Sequence, residues 1–211
     1  MKLLCHRGIW TEVHQKNTHA ALCAAFEQGL GIETDIRDCN GRLVVSHDMP
    51  LSETAGDLDT LLSHYQRCEC GAPLALNVKA DGLQSALLAK LQTYQVRNYF
   101  VFDMSVPDAL GYRRLNMPFA ARLSEYEPPG ILHDQASHVW LDAFEGEWYS
   151  MALIQSLLEQ GKHVAVVSPE LHRRAHADFW AALKPFSVSD RLYLCTDLVA
   201  PAMEVFHVHQ D

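Results

Sequence analysis

The sequence lacks several features that would assign it to a broad class of proteins. No apolar stretch approaches the roughly 18 residues that indicate a membrane-spanning helix, and MKLLCHRG at its start has a three-residue apolar run. Basic residues are few, since 17 Lys and Arg stand against 26 Asp and Glu, for a net charge of −9. This balance argues against broad binding to nucleic acid or anionic membranes. We expect a cytoplasmic protein without a signal peptide, nucleic-acid partner or stable membrane association.

Closely spaced cysteine pairs are also missing. The six cysteines include no C-x-x-C pair, and only Cys68 and Cys70 lie close together, so we expect neither a zinc ribbon nor a thioredoxin-type motif. The thiols of a cytoplasmic protein should be reduced. With 211 residues, 48% hydrophobic and 20% charged, the chain can form one domain with a large core but is short for two.

Short apolar segments alternate with amphipathic helical patterns along the chain. The predicted strands are KLLC, GIETDI, LALNVK, YFVFD, PFAARL, HVWLDAF, HVAVV and RLYLC. This alternation implies parallel strands joined by crossover helices, and eight units predict one (β/α)8 TIM-barrel domain over residues 1–211. The fifth unit is the weakest, because its helix, GILHDQAS, has one or two turns at best. An open, doubly wound α/β sheet is the alternative.

Two predicted strands carry polar side chains on one face. Because alternate side chains of a strand point to opposite faces, GIETDI places Glu33 and Asp35 together, and LALNVK places Asn77 and Lys79 together. Two like charges that are buried side by side require a cation or hydrogen-bond donors. The carboxyl ends of barrel strands carry the active site in essentially every characterised enzyme of this fold. We therefore expect these side chains to line a site.

Two histidine motifs also lie at the carboxyl ends of the predicted barrel strands. His6 and Arg7 follow the first strand, and His47 follows the hairpin that the Asn40-Gly41 pair predicts after the second strand. Each motif alone is compatible with an ordinary turn or loop. Their conjunction at successive strand ends indicates a single functional site at this end of the predicted barrel.

The order of these motifs resembles a known family. The matching segments are HRG at 6–8, NT at 17–18, ETD at 33–35, NGRLVVSHD at 40–48 and LNVK at 76–79. They resemble the glycerophosphodiester phosphodiesterase family, within the wider group that includes phosphatidylinositol-specific phospholipase C and the sphingomyelinase D enzymes. The match is dense over residues 4–48 and thinner to about residue 82; beyond it, only the strand–helix alternation supports the resemblance.

This resemblance implies a phosphoric diester hydrolase of the phospholipase C-like type, with a divalent cation, Mg²⁺ first and Ca²⁺ next. The expected substrate is a small glycerol or sugar phosphodiester of lipid metabolism. In the family's scheme a neighbouring hydroxyl attacks first and gives a cyclic phosphodiester. Carried over by position, the implied roles are metal ligands for Glu33, Asp35 and Asn77, an acid–base pair for His6 and His47, and phosphate binding for Arg7 and Lys79.

The chain departs from the family pattern at three places. Asn77 replaces an acid; its amide oxygen can still bind a hard cation, but the site loses one negative charge, so we expect weaker metal binding or binding that depends on substrate. Lys16 stands where the family has Glu before Asn17-Thr18. Only residues 49–73 separate Asp48 from the third barrel strand, and the insertion that shapes the family's glycerol pocket is missing.

Polar residues also follow the later predicted strands: Asp103, Arg122, Asp142, Ser168 and Asp197. Asp142 is the leading additional candidate, because it could replace the charge missing at Asn77 or bind a substrate hydroxyl. Capping of the next helix is the alternative. Two other functions stay open: a non-catalytic barrel with a degraded metal site that binds a phosphorylated ligand, and a lyase that stops at the cyclic phosphate.

Overall fold

The computed structural model describes residues 1–50 and 55–208, which form ten strands and eight α-helices. The strands are β1 (Lys2–His6), β2 (Gly31–Cys39), β3 (Arg42–Val45), β4 (Gly56–Asp57), β5 (Leu74–Val78), β6 (Tyr99–Phe102), β7 (Ala120–Leu123), β8 (His138–Leu141), β9 (His163–Val167) and β10 (Leu192–Thr196). The helices are α1 (His19–Glu27), α2 (Leu58–Cys68), α3 (Gln84–Thr93), α4 (Val106–Arg114), α5 (Ile131–Gln135), α6 (Met151–Glu159), α7 (Ala177–Leu183) and α8 (Val199–Phe206). All eight predicted strands are present.

Contacts between Cα atoms divide the chain into two compact units. The N-terminal unit comprises residues 5–119, and the C-terminal unit comprises residues 1–4 with those from 120 onward. A single domain over residues 1–211 stays a prediction. None of the helices in the described ranges is long and apolar enough to cross a membrane.

The N-terminal unit contains a mixed sheet. Strand β2 pairs in parallel with β5, β5 pairs in parallel with β6, and β3 lies antiparallel to both β2 and β4. The predicted hairpin is confirmed between β2 and β3. Asn40 and Gly41 adopt positive φ angles of 51° and 77° there, a conformation that Asn and Gly tolerate best in a tight turn.

The C-terminal unit contains a parallel sheet in the order β7, β8, β9, β10. Its fifth-unit helix is α5, only five residues long, as the short GILHDQAS pattern predicts. Two helical segments of this unit differ from what the sequence pattern indicates. The pattern of ELHRRAHADFWAALK at 170–184 predicts one helix, but the structure has a 3-10 turn at Pro169–His172 followed by α7, with Arg173 at a positive φ of 60° between them. Helix α8, after the last strand, was not predicted; its Pro201 lies in the first turn, where the missing N–H costs no helical hydrogen bond.

Candidate active site

The turn after β1 places Arg7 beside β2. Arg7 has a positive φ of 59°, and its backbone N–H donates to the Glu33 carbonyl at 2.9 Å. Gly8 follows with a φ of 93°, and a Cβ atom there would lie 2.5 Å from the backbone carbon of Ala21. Only glycine permits this approach between the turn and α1. The HRG motif therefore holds the end of β1 against both β2 and α1.

The two acids of β2 are buried, as predicted for a polar face. Glu33 is 3% exposed and Asp35 is fully buried, whereas Ile32 and Ile36 belong to the apolar core. Burial raises the pKa of Glu33 to about 7; the neighbouring Asp35 adds to this rise and His6 opposes it. Each carboxylate thus increases the electrostatic cost of the other, and nearby positive charge reduces that cost.

Three side chains surround the Asp35 carboxylate. Arg7 Nε lies 3.0 Å from Oδ2, Lys79 Nζ lies 3.4 Å from Oδ1, and Asn17 Nδ2 donates to Oδ2 at 2.7 Å. Asn17 also accepts a hydrogen bond from Thr34 Oγ1 at 2.8 Å. The predicted phosphate-binding residues, Arg7 and Lys79, therefore lie together at the fully buried acid.

Asn77 occupies the position next to Asp35 on the adjacent strand. Their Cα atoms are register partners between β2 and β5. Asn77 Nδ2 donates to Glu33 Oε1 at 3.4 Å and to Asp103 Oδ2 at 3.1 Å, while Lys79 Nζ lies 3.9 Å from the same Asp103 oxygen. We call Arg7, Glu33, Asp35, Asn77, Lys79 and Asp103 the acid cluster.

The three predicted metal ligands have the atoms that a hard cation requires. Glu33 Oε2, Asp35 Oδ1 and Asn77 Oδ1 are buried oxygens that accept no hydrogen bond within the described residues. A buried polar atom without a partner costs free energy, and Mg²⁺ and Ca²⁺ prefer carboxylate and amide oxygens. This donor set therefore fits a divalent cation.

The two predicted catalytic histidines differ in their relation to the acid cluster. His6 Nε2 lies 3.9 Å from Glu33 Oε2, and its side chain is 17% exposed. His47 is 46% exposed, and its Nδ1 donates to Asp48 Oδ1 at 2.9 Å. Within residues 1–50 and 55–208, the His47 imidazole makes no hydrogen bond or ion pair with the acid cluster. The backbone of the preceding residue is linked to the cluster, since the Ser46 N–H donates to the backbone carbonyl of Asp35 at 3.0 Å.

Asp142, the additional candidate, lies in the C-terminal unit and is 6% exposed. Its Oδ1 accepts hydrogen bonds from His172 Nε2 at 2.7 Å and from the Ala143 N–H at 2.8 Å. The helix that follows, α6, begins after Ser150 as its N-cap residue, so Asp142 does not cap it. A role of Asp142 in substrate binding stays a prediction.

Two members of the site were underestimated by sequence reasoning. The sequence allows either Asn17 or Thr18 to cap α1; Thr18 caps it by accepting from the Ala21 N–H, and Asn17 binds Asp35 instead. Asp103 was ranked below Asp142, yet Asp103 is the acid beside Asn77. Both have positive φ angles, 60° and 68°, which no local sequence pattern indicates for these residues.

Comparison with known proteins gives matches only among solved structures. No family model matches the sequence, and no curated protein does. A glycerophosphodiester phosphodiesterase from Agrobacterium tumefaciens str. C58 has a TM-score of 0.72 at 20% identity, covering 97% of this chain and 98% of that chain. A phosphodiesterase from Oleispira antarctica, in complex with the product sn-glycerol-3-phosphate, has a TM-score of 0.63 at 15% identity, covering 97% of each chain.

A Ca²⁺-dependent phosphatidylinositol-specific phospholipase C from Streptomyces antibioticus is also similar. Its TM-score is 0.59 at 10% identity, covering 97% of this chain and 95% of that chain. These likenesses confirm the predicted (β/α)8 fold and exclude the open doubly wound sheet. The chain therefore has the (β/α)8 TIM-barrel fold of the phospholipase C-like phosphodiesterases.

Proposed function

We propose that this protein is a metal-dependent phosphodiesterase that cleaves a small, soluble phosphodiester by acid–base catalysis with His6 and His47. The observation that carries the proposal is the acid cluster, where buried cation-binding oxygens and two positive side chains meet at neighbouring strand ends. The shared fold with glycerophosphodiester phosphodiesterases supports it. A cytoplasmic location and a role in lipid metabolism belong to the same proposal.

The cation would be bound by Glu33, Asp35 and Asn77. It would neutralise charge on the phosphoryl oxygens, as Mg²⁺ or Ca²⁺ does in other phosphoryl-transfer sites. Mg²⁺ is our first expectation, and the Ca²⁺ dependence of the Streptomyces antibioticus enzyme makes Ca²⁺ the second ion to test. Arg7 and Lys79 would bind the remaining phosphoryl oxygens, because both carry positive charge at the acid cluster.

His6 and His47 would transfer the protons. One imidazole removes the proton from the attacking hydroxyl or water, and the other donates a proton to the leaving oxygen. Asp48 would orient His47 through the hydrogen bond to Nδ1, which leaves Nε2 to face the substrate. Glu33 would attract a protonated His6 electrostatically, since His6 Nε2 and Glu33 Oε2 are 3.9 Å apart.

The substrate is proposed as a glycerol or sugar phosphodiester. A neighbouring hydroxyl on such a headgroup can act as the first nucleophile and give a cyclic phosphate. The product in the Oleispira antarctica structure, sn-glycerol-3-phosphate, supports a glycerol compound as the first to assay. Phosphorus NMR of the reaction mixture distinguishes a hydrolase, which yields a monoester, from a lyase, in which the cyclic ester persists.

Turnover of an aryl phosphodiester with Mg²⁺, Mn²⁺ or Ca²⁺ tests the activity itself. The wild-type protein should be active with at least one metal and inactive after chelation. His47→Asn should lower turnover by about 10²–10⁴-fold, the usual contribution of a general acid or base. Near-wild-type turnover of the true substrate by His47→Asn would exclude the proposed chemistry.

A second candidate function is a barrel that binds a phosphorylated ligand without cleaving it. Asn77 favours this alternative, because its amide donates hydrogen bonds to Glu33 and Asp103 where a third carboxylate would attract a cation more strongly. Isothermal titration with the three metals and with glycerol phosphate separates the two functions. Ligand binding with no turnover under any metal would support the second.

A further inference from the structure

Helices α1 and α2 bring a second set of metal-binding side chains together, outside the acid cluster. His19, Cys23 and Glu27 recur at every fourth residue of α1, and His64 and Cys68 are four apart on α2. Side chains four residues apart lie on one face of a helix. The two faces are in contact, since the rings of His19 and His64 pack edge to face with centroids 5.7 Å apart.

Three of these side chains have their donor atoms within reach of one ion. One ligand atom each from His19, Cys23 and His64 lies within 4.8 Å of the other two. Cys23 Sγ lies 3.5 Å from His19 Nε2. Cys23 is only 5% exposed, whereas His19 is at the surface. The cysteine is therefore the most buried of the three ligands, and a metal ion can reach the group from the solvent beside His19.

His64 has a nitrogen available for coordination. Its Nε2 is buried and makes no hydrogen bond within the described residues. Glu27 Oε1, the nearest acidic oxygen, lies 3.5 Å from it, too far for a good hydrogen bond. The Arg67 guanidinium lies 3.4 Å from the other ring nitrogen, Nδ1, and its positive charge disfavours a cation there. Nε2 is therefore the coordinating atom.

Glu27 places a negative charge beside the group, since its Oε1 lies 3.5 Å from His64 Nε2. A bound divalent cation would stabilise the Cys23 thiolate directly.

We propose that His19, Cys23 and His64 form a zinc site between α1 and α2, with Glu27 as the fourth ligand. One thiolate and two imidazoles are ligands that Zn²⁺ prefers in a tetrahedral arrangement, whereas Mg²⁺ and Ca²⁺ prefer oxygen. Such a site takes its ligands from two helix faces, so it does not require a C-x-x-C pair.

Zinc at this position would tie α1 to α2. His19 is the first residue of α1 and directly follows Thr18 and Asn17, and Asn17 binds Asp35. Ion binding to the folded state raises the melting temperature by mass action. The ion would therefore stabilise the N-terminal unit and hold the residue that supports the buried acid.

Absorption spectroscopy with Co²⁺ as the probe tests the site, because a thiolate ligand gives a charge-transfer band that the oxygen ligands of the acid cluster cannot give. Chelator-treated wild-type protein should bind one Co²⁺ with this band and lose it on addition of Zn²⁺. The band should disappear in Cys23→Ser, and His19→Ala should weaken binding at least about tenfold. Cys39→Ser, a free cysteine on β2, is the matched control and should keep the band.

Since His19 is at the surface, His19→Ala should fold even if Cys23→Ser does not, and circular dichroism checks both. Absence of the thiolate band in the wild-type protein would overturn the proposal. Unchanged Co²⁺ affinity in His19→Ala would overturn it as well. Band loss with Cys39→Ser but not with Cys23→Ser would assign the thiolate elsewhere and overturn it too.

Discussion

Both units carry acids near the ends of their strands, but the hydrogen bonds to these acids differ. In the C-terminal unit, Glu170 Oε2 accepts from Ser168 Oγ, and Oε1 accepts from Thr196 Oγ1 and the Asp197 N–H. In the N-terminal unit, Glu33 keeps one buried oxygen without a hydrogen bond. In the C-terminal unit, the Glu170 carboxylate thus joins neighbouring segments through hydrogen bonds. In the N-terminal unit, Glu33 keeps an oxygen available to bind a cation.

Glu125, in the C-terminal unit, also differs from Glu33, because its pKa is lowered whereas that of Glu33 is raised. Burial raises its pKa, but backbone N–H groups of its own residue, Glu145, Gly146 and Phe144 outweigh this and lower the pKa to about 2. The pKa of Glu33 is instead raised to about 7. A carboxylate with a full set of donors stabilises the local structure, whereas one that keeps an oxygen without a donor, as Glu33 does, can bind a cation.

The largest expected effect is on catalysis in the N-terminal unit. His6→Asn should lower turnover by about 10²–10⁴-fold, because it removes one member of the acid–base pair, while circular dichroism should be unchanged. The matched control is His14→Asn, the same substitution at an exposed histidine, which should leave turnover within a few-fold. Equal activity of the two variants would remove His6 from the mechanism.

The next effect compares buried Glu33 with half-buried Glu170 directly. Glu170→Gln should lower the free energy of unfolding by about 1–3 kcal/mol, because it replaces hydrogen bonds to a charged acceptor, and the folded variant should keep its turnover. Glu33→Gln should abolish turnover without loss of stability, because it removes a buried charge that has few partners. Urea unfolding and turnover assays check both. The reverse pattern would contradict the contrast between the units.

A smaller effect is expected from restoring the acid at position 77. Asn77→Asp should raise affinity for Mg²⁺ or Ca²⁺ by about tenfold, since affinity increases with the number of charged ligands. Without metal the same variant should melt at a lower temperature, because Glu33 and Asp103 lose a donor and gain a like charge. Isothermal titration and thermal melts measure the two effects. An unchanged affinity would show that position 77 does not touch the ion.

The smallest effect is on the pH dependence of stability. His138 is 8% exposed, and burial lowers its pKa from 6.5 to about 3, with His163 contributing. Below about pH 6.5 the unfolded chain binds a proton that folded His138 excludes, so this residue lowers stability as pH falls from about 6.5 to about 3.

His138→Phe should therefore lose less stability than the wild type between pH 7 and pH 5, by on the order of 1–2 kcal/mol. Phenylalanine keeps a ring against His163, whose ring stacks on His138 with centroids 4.6 Å apart. Urea unfolding at the two pH values measures the difference. Identical pH profiles for the variant and the wild type would assign the acid sensitivity to other groups.

Strand periodicity predicted much of this molecule, because it depends on local sequence. It gave all eight parallel strands, the buried polar face of β2 and the positions of Arg7, Asn77 and Lys79. It could not rank Asp103 against Asp142, since both follow strands and only tertiary contacts distinguish them. Local sequence also gave no sign that the helical pattern over 170–184 is interrupted at Arg173. Glu170 there binds Thr196 and Asp197, which are distant in sequence.

The most direct test of the account is a crystal structure with Mn²⁺ and phosphate bound. We predict one anomalous peak about 2.0–2.6 Å from oxygens of Glu33, Asp35 and Asn77, with phosphate beside Arg7 and Lys79 and the imidazoles of His6 and His47 on either side of it. A peak elsewhere, or a phosphate that only one of the two imidazoles can reach, would contradict the account.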